Sequence, residues 1–198
     1  MAGNSSNIIM SSSKGFTLLE LLVVVGVIVT LSTVALSGYR TGEDKFALQR
    51  SAVKLAQDLR RAETMAMTGE SAPSTFGGIF PSGGYGFYFA NGASSYVLFS
   101  DCNNNAEYES SGSAISCTAS TGANPFPETM ETIPLETGAV ISNISPATSF
   151  SVTFYPPDPT IKITGADSQS YNQAVITLSL YGKTKTVTIN NVGLIDIN

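Results

Sequence analysis

The run Phe16–Leu36, FTLLELLVVVGVIVTLSTVAL, constrains this chain more than any other feature. It holds 21 residues and one charge, Glu20. About 20 apolar residues rising 1.5 Å each cross the hydrocarbon core of a bilayer, so the run has the length of a transmembrane helix. A charged side chain at the bilayer centre costs roughly 2.5–3.5 kcal/mol on insertion scales, where leucine costs nothing. Three readings compete. A plain anchor leaves Glu20 unexplained. A secretory signal would use the small residues Ala35 and Ser37 and cut at Gly38, but its apolar region is about 7–15 residues, shorter than this run. It too leaves Glu20 unexplained. The third reading places a cut at the start of the run and keeps the apolar helix on the mature protein.

Charge is scarce and uneven in the remainder. Only 13% of the 198 residues are charged, and seven of the ten Lys/Arg precede Glu63. The C-terminal two-thirds is acidic, which argues against a general nucleic-acid surface there. The chain has no histidine and no tryptophan. Without imidazole there is no Ser-His-Asp triad, no Cys-His pair and no histidine-ligated zinc. Carboxylates and lysines can still catalyse, but no catalytic constellation stands out, and the expectation is a non-enzyme.

Beyond the apolar run, Arg40–Met67 carries Ala52, Leu55/Ala56, Leu59, Ala62/Glu63 and Ala66 at spacings of three and four. That is the stripe of an amphipathic helix, with Arg50, Lys54, Asp58 and Arg61 assigned to a charged opposite face. Gly69 is placed to cap it. Gly38 and Gly42 are points where the helix could bend or melt. The rest reads as strands separated by turns: Tyr85–Phe89, Tyr96–Ser100, Ala139–Ile144, Ser149–Tyr155, Thr160–Thr164, Ala174–Tyr181, Thr184–Ile189 and Leu194–Ile197. Gly182-Lys183 is expected to turn between two of them. Ser71–Gly84 and Glu109–Pro127 read as Gly/Ser/Pro-rich loops.

Lys14-Gly15-Phe16-Thr17-Leu18-Leu19-Glu20-Leu21-Leu22 closely resembles the type IV prepilin signal. The resemblance implies that a membrane peptidase cuts between Gly15 and Phe16 and methylates the new amine of Phe16. It further implies that Glu20 meets the amine of a neighbouring subunit and sets axial register on assembly. Gly15 has no Cβ to obstruct a protease. Lys14 favours keeping the leader in the cytoplasm, so everything after Leu36 is expected outside. Met10 offers a second start. The order of the helix ending DLRRAETMAMTGE (Asp58–Glu70), then YGFYF, YVLFSD with an Asn-rich loop, and closing strands around Asn191-Val192-Gly193-Leu194-Ile195 resembles the GspH/FimT group of minor pilins and pseudopilins.

The expected fold is therefore α+β: a long N-terminal helix, half transmembrane and half amphipathic, packed on an antiparallel β-sheet domain. The expected organisation is a leader at 1–15, a transmembrane and assembly helix at 16–37, an amphipathic helix at 38–69 and an extracytoplasmic β domain at 70–198. The expected partners are prepilin peptidase, the cytoplasmic membrane and other pilin or pseudopilin subunits, in a type IV pilus or a type II secretion filament. The rival class is a membrane-anchored, ligand-binding β domain that does not assemble.

Three further expectations attach to single residues. Cys102 and Cys117, in an exported domain, are expected to form a disulfide, with two free thiols as the alternative. Asp101, Asn103, Asn105 and Glu107 place oxygen side chains at every second residue, the way a short loop wraps Ca²⁺. The EF-hand pattern fails, since Ala106 replaces its glycine and Gly112 its final acid, and a solvated turn is the competing reading. No cofactor is otherwise required. Some FimT-like pilins bind DNA through C-terminal basic residues. Here only Lys183 and Lys185 are available, which would give weak, salt-sensitive binding.

Overall fold

The computed structural model describes residues 15–72, 78–110, 128–156 and 160–198, with the side chains of 36–41 excepted. Lys14 and Cys117 lie outside the described residues, as do parts of both predicted Gly/Ser/Pro-rich loops.

Helix α1 is assigned over Leu18–Thr68, through Gly38 and Gly42, without a break. The chain divides into two compact units, Met1–Gly42 and Glu43–Asn198. In the first unit every side chain from Leu18 to Ala35 is exposed. Its hydroxyls turn back on their own helix: Thr30 donates to the carbonyls of Gly26 (3.1 Å) and Val27 (2.9 Å), and Ser32 donates to that of Ile28 (2.7 Å). Polar groups satisfied inside the helix do not oppose insertion into hydrocarbon.

In the second unit the predicted stripe is the buried one. Leu48, Ala52, Leu55, Leu59, Ala62 and Ala66 lie in the core at alternating steps of four and three. The helix ends in a Schellman motif. Gly69 sits at φ +63°, its N–H donates to the Ala66 carbonyl (3.3 Å), and the Glu70 N–H reaches the Met65 carbonyl (3.1 Å).

Among the described residues, ten strands form two antiparallel sheets: β1 Tyr85–Ala90, β2 Ser95–Ser100, β3 Thr129–Pro134, β4 Val140–Ser145, β5 Ser149–Tyr155, β6 Thr160–Gly165, β7 Ser170–Tyr171, β8 Gln173–Leu180, β9 Lys183–Asn190 and β10 Ile195–Ile197. The first sheet runs β3-β2-β1-β5-β6-β7 and the second β10-β9-β8-β4. Tyr85, Phe87, Phe89, Tyr96, Leu98, Phe150, Val152 and Phe154 from the first sheet share one core with Ile141, Ile176, Leu178, Val187 and Ile189 from the second and with the helix stripe. This is the α+β architecture expected from the alternation of the strands.

Two strands escaped the sequence reading. β7 has only two residues. β3, TMETIP, buries only Ile133, and Pro134 ends it; it is an edge strand with no alternation to detect. The helix charges assigned to open solvent are what hold β3 and the segment after it. Arg61 pairs with Glu131 at 3.0 Å and Arg50 with Glu136 at 3.3 Å, while Lys54 reaches the Pro134 carbonyl at 3.5 Å. Asp58 accepts the hydroxyl of Tyr96 at 2.5 Å. The ion pairs are half exposed and each is worth about 1 kcal/mol or less.

The β8–β9 turn also differs from expectation. Its central residues are Tyr181 and Gly182, at φ +47° and +78°, with Leu180 opposite Lys183. A two-residue hairpin of type I′ needs positive φ at both central positions, which fixes the turn one residue earlier than Gly182-Lys183. Lys183 thereby becomes the first residue of β9.

Candidate functional site

Two regions hold most of the residues singled out in the sequence. The first is the start of the apolar helix. Gly15, Phe16 and Thr17 precede the helix in non-helical backbone, and Phe16 is 77% exposed. A Cβ added at Gly15 would meet nothing within 4 Å, and the residue does not adopt a positive φ. The chain's own packing therefore does not require glycine there. The same holds at Gly26 within the apolar run, where a Cβ would also enter open space.

Thr17 is the helix N-cap, a role not noticed in the sequence. Its Oγ1 accepts the Glu20 N–H at 3.2 Å, and its carbonyl accepts the N–H groups of Glu20 and Leu21 at 3.1 and 3.2 Å. Thr-x-x-Glu is the spacing of a capping box, and the signal was legible at Thr17 and Glu20. Among the described residues Glu20 makes no ion pair within the chain.

The second region is the loop after β2. Asp101, fully buried, is its anchor. Its Oδ1 accepts the backbone N–H groups of Asn104 (2.6 Å) and Asn105 (3.2 Å), and its Oδ2 accepts those of Ala106 (2.8 Å) and the hydroxyl of Tyr155 (3.1 Å). Burial pushes this carboxyl above its ordinary range, against the pull of those bonds. Gly83 makes room for it, since a Cβ there would lie 2.2 Å from the Asp101 carboxyl carbon.

The next alternating oxygens are also spent locally. Asn103 Oδ1 accepts the N–H of Asn105 (3.2 Å), and Asn105 Oδ1 that of Glu107 (2.8 Å). Both amide nitrogens donate to Glu109, at 3.0 and 2.7 Å. The alternation thus builds Asx turns that carry the loop across the far face of the first sheet. There Ala106 is buried, its carbonyl accepts Thr153 Oγ1 (3.4 Å), and the Tyr108 ring stacks at 4.8 Å on Tyr88 and 5.5 Å on Phe99.

Glu128, which the sequence reading missed, closes the loop. Its Oε1 accepts the Cys102 N–H (3.2 Å) and its Oε2 the Glu109 N–H (3.1 Å). Burial pushes its carboxyl up to about 8, with the neighbouring charges of Glu109 and Asp101 adding to the shift. Nothing local in the sequence signals this residue, which stands at the end of a Pro-rich stretch. A calcium ion on Asp101, Asn103, Asn105 and Glu107 would have to take over oxygens of Asp101, Asn103 and Asn105 now bonded to backbone amides. Among the described residues, no group of three or more acids or cysteines has metal-holding geometry. Cys102 Sγ lies 3.4 Å from the Ser100 carbonyl.

Lys183 and Lys185 lie together on one face of β9, Lys183 with its Nζ 3.5 Å from Asp44.

Residues 10–36 match the family model of the Prokaryotic N-terminal methylation motif. No curated protein and no solved structure matches the chain.

Proposed function

We propose that this chain is a filament subunit of the type IV pilin class, without catalysis of its own. The observation that carries the reading is the methylation motif seated on an apolar run whose only acid, Glu20, has no ionic partner among the described residues. Prepilin peptidase cuts between Gly15 and Phe16. The freed, methylated amine of Phe16 is positive and lies four residues from Glu20. On assembly, the Glu20 carboxylate of one subunit meets that amine on a neighbour, while Gly26 lets helices approach closely. Before assembly the protein sits in the cytoplasmic membrane with its β domain outside. Within the class we read it as a GspH/FimT-like minor pilin or pseudopilin of a type IV pilus or type II secretion filament. In that exported setting Cys102 and Cys117 form a disulfide.

The reading predicts the intact mass of the membrane-extracted protein: a chain beginning at methylated Phe16. An uncut start at Met1 or Met10 in the presence of the peptidase overturns it. Glu20→Ala leaves that mass change in place and lowers the amount of subunit recovered in sheared filaments by tenfold or more, on the order of the penalty for an unpaired charge partner. Normal incorporation of Glu20→Ala refutes the role of the glutamate.

A further inference from the structure

The type I′ turn at Tyr181-Gly182 puts Lys183 and Lys185 on the same face of β9 as the buried Val187 and Ile189. The core face of the second sheet therefore ends in two lysines. Opposite them stands the beginning of the helix in the second unit. Lys45, Phe46, Leu48 and Gln49 line, with Lys183, Thr184 and Lys185, a groove of about 360 Å³. Leu48 is buried at its floor, and Phe46 is 67% exposed at its rim.

Three of the ten Lys/Arg of a chain with net charge −5 converge here. Most of the other described cations are engaged elsewhere: Arg50 and Arg61 with carboxylates, Lys54 with a carbonyl, and Lys162 over the Tyr155 ring at 4.4 Å. In the groove only Lys183 faces a carboxylate, that of Asp44; among the described residues neither Lys45 nor Lys185 has one within ion-pair distance. The combination is an anion receptor with an apolar floor and an exposed aromatic at its edge, the composition that holds a headgroup and the top of its acyl chains.

The covalent tether names the occupant. Lys45 follows Ala35, the end of the apolar span, by ten residues. Those residues reach about 15 Å as helix and roughly 35 Å at most when extended. A bilayer surface is thus always within reach of the groove and present at high effective concentration. We propose that the groove of Lys45, Phe46, Lys183 and Lys185 docks the phosphate headgroups of anionic phospholipids in the membrane that holds the anchor. The inference rests on the membrane-anchored reading above. It gives the subunit a second, salt-sensitive membrane attachment that must be released when the subunit enters a filament.

The chain has no tryptophan, so Phe46→Trp supplies a single indole at an exposed position, excited selectively beyond the tyrosine absorption band. The full-length Phe46→Trp protein is reconstituted into vesicles of phosphatidylcholine alone, or of phosphatidylcholine with phosphatidylglycerol, with bromine-labelled acyl chains as quencher. Quenching is expected to be at least about threefold stronger in the anionic vesicles and to fall to the neutral level near ~0.5 M salt, where charges are screened beyond a few ångströms. Adding Lys45→Glu and Lys185→Glu abolishes the difference, whereas Arg60→Glu, outside the groove, leaves it. Equal quenching in both vesicles overturns the proposal. So does a difference that survives the double substitution, one that Arg60→Glu removes equally, or protection by duplex DNA or an acidic peptide in place of anionic lipid. Flotation separates the two readings. A protein that floats with neutral and anionic vesicles alike but shows no difference in quenching sinks only the headgroup site; one that floats with neither sinks the anchor and this proposal with it.

Discussion

At the scale of single residues, Glu20 now has two competing duties. Its backbone N–H closes the N-cap on Thr17, and an acid in the first turn also favours the helix dipole. Its carboxylate is the group proposed to pair with the amine of a neighbouring subunit. Glu20→Gln separates them, because glutamine serves in a capping box as well as glutamate does but carries no charge. If pairing is the duty, Glu20→Gln assembles as poorly as Glu20→Ala in sheared filaments. Assembly at the level of the unaltered chain would reduce Glu20 to a helix-starting residue. Asp101 is a different case. The sequence offered it as a cation ligand, and its carboxylate instead collects four hydrogen-bond donors in the interior. In Asp101→Asn an amide group faces two of those donors. Each donor left unpaired costs about 1–3 kcal/mol, so the β domain should lose about 3 kcal/mol in urea unfolding. A loss under about 1 kcal/mol would mean that the loop is not anchored through this side chain.

At the scale of elements, what could be read in advance divides by periodicity. The helix stripe at Ala52, Leu55, Leu59, Ala62 and Ala66 and the alternating strands β5 and β8 were plain, because one face of each is core; the structure extends the stripe to Leu48. β3 was invisible because an edge strand with one buried side chain writes no pattern. Its partners on the helix, Arg50, Lys54 and Arg61, looked like solvent-facing charges for the same reason. The β8–β9 turn slipped by one residue because Tyr181 is a poor candidate for positive φ. Tyr181 is 78% exposed, and its backbone conformation suits asparagine better. Tyr181→Asn should therefore stabilise the domain by about 0.5–1 kcal/mol, seen as a higher urea midpoint with an unchanged slope. A lower midpoint would show that the exposed ring contributes more than the strain costs.

At the scale of the whole molecule, the processing motif was the most legible part and the acidic loop the least. Contiguous residues carry the motif, whereas Asp101, Glu109, Glu128 and Tyr155 come together only through folding. Their burial has a consequence for stability. Glu128 titrates near 8 when folded, against 4.5 as its ordinary value, so between those limits the folded chain holds a proton that the unfolded chain has released. Stability contributed by this proton is complete below about pH 4.5 and is lost as pH rises through 8. Asp101 is shifted in the same direction. The melting temperature of the domain should thus fall from about pH 5 to about pH 9, and Glu128→Gln should flatten that slope. A melting temperature that rises over the same interval would contradict the buried-acid arrangement.

The closure at Glu128 also bears on how this domain can vary. The backbone N–H of Glu128 donates to the Glu109 carbonyl at 3.2 Å, and its side chain holds Cys102 and Glu109 together. The two ends of the segment 110–127 are therefore stitched to one another by the folded domain. Once the ends of a loop are fixed from outside, each doubling of its length costs only about 0.6 kcal/mol. With its ends held by Glu128, changing the length of the sequence between Glu109 and Glu128 carries a small entropic cost, provided that Cys117 keeps its proposed bridge to Cys102. A domain built this way can change what it displays without renegotiating how it folds.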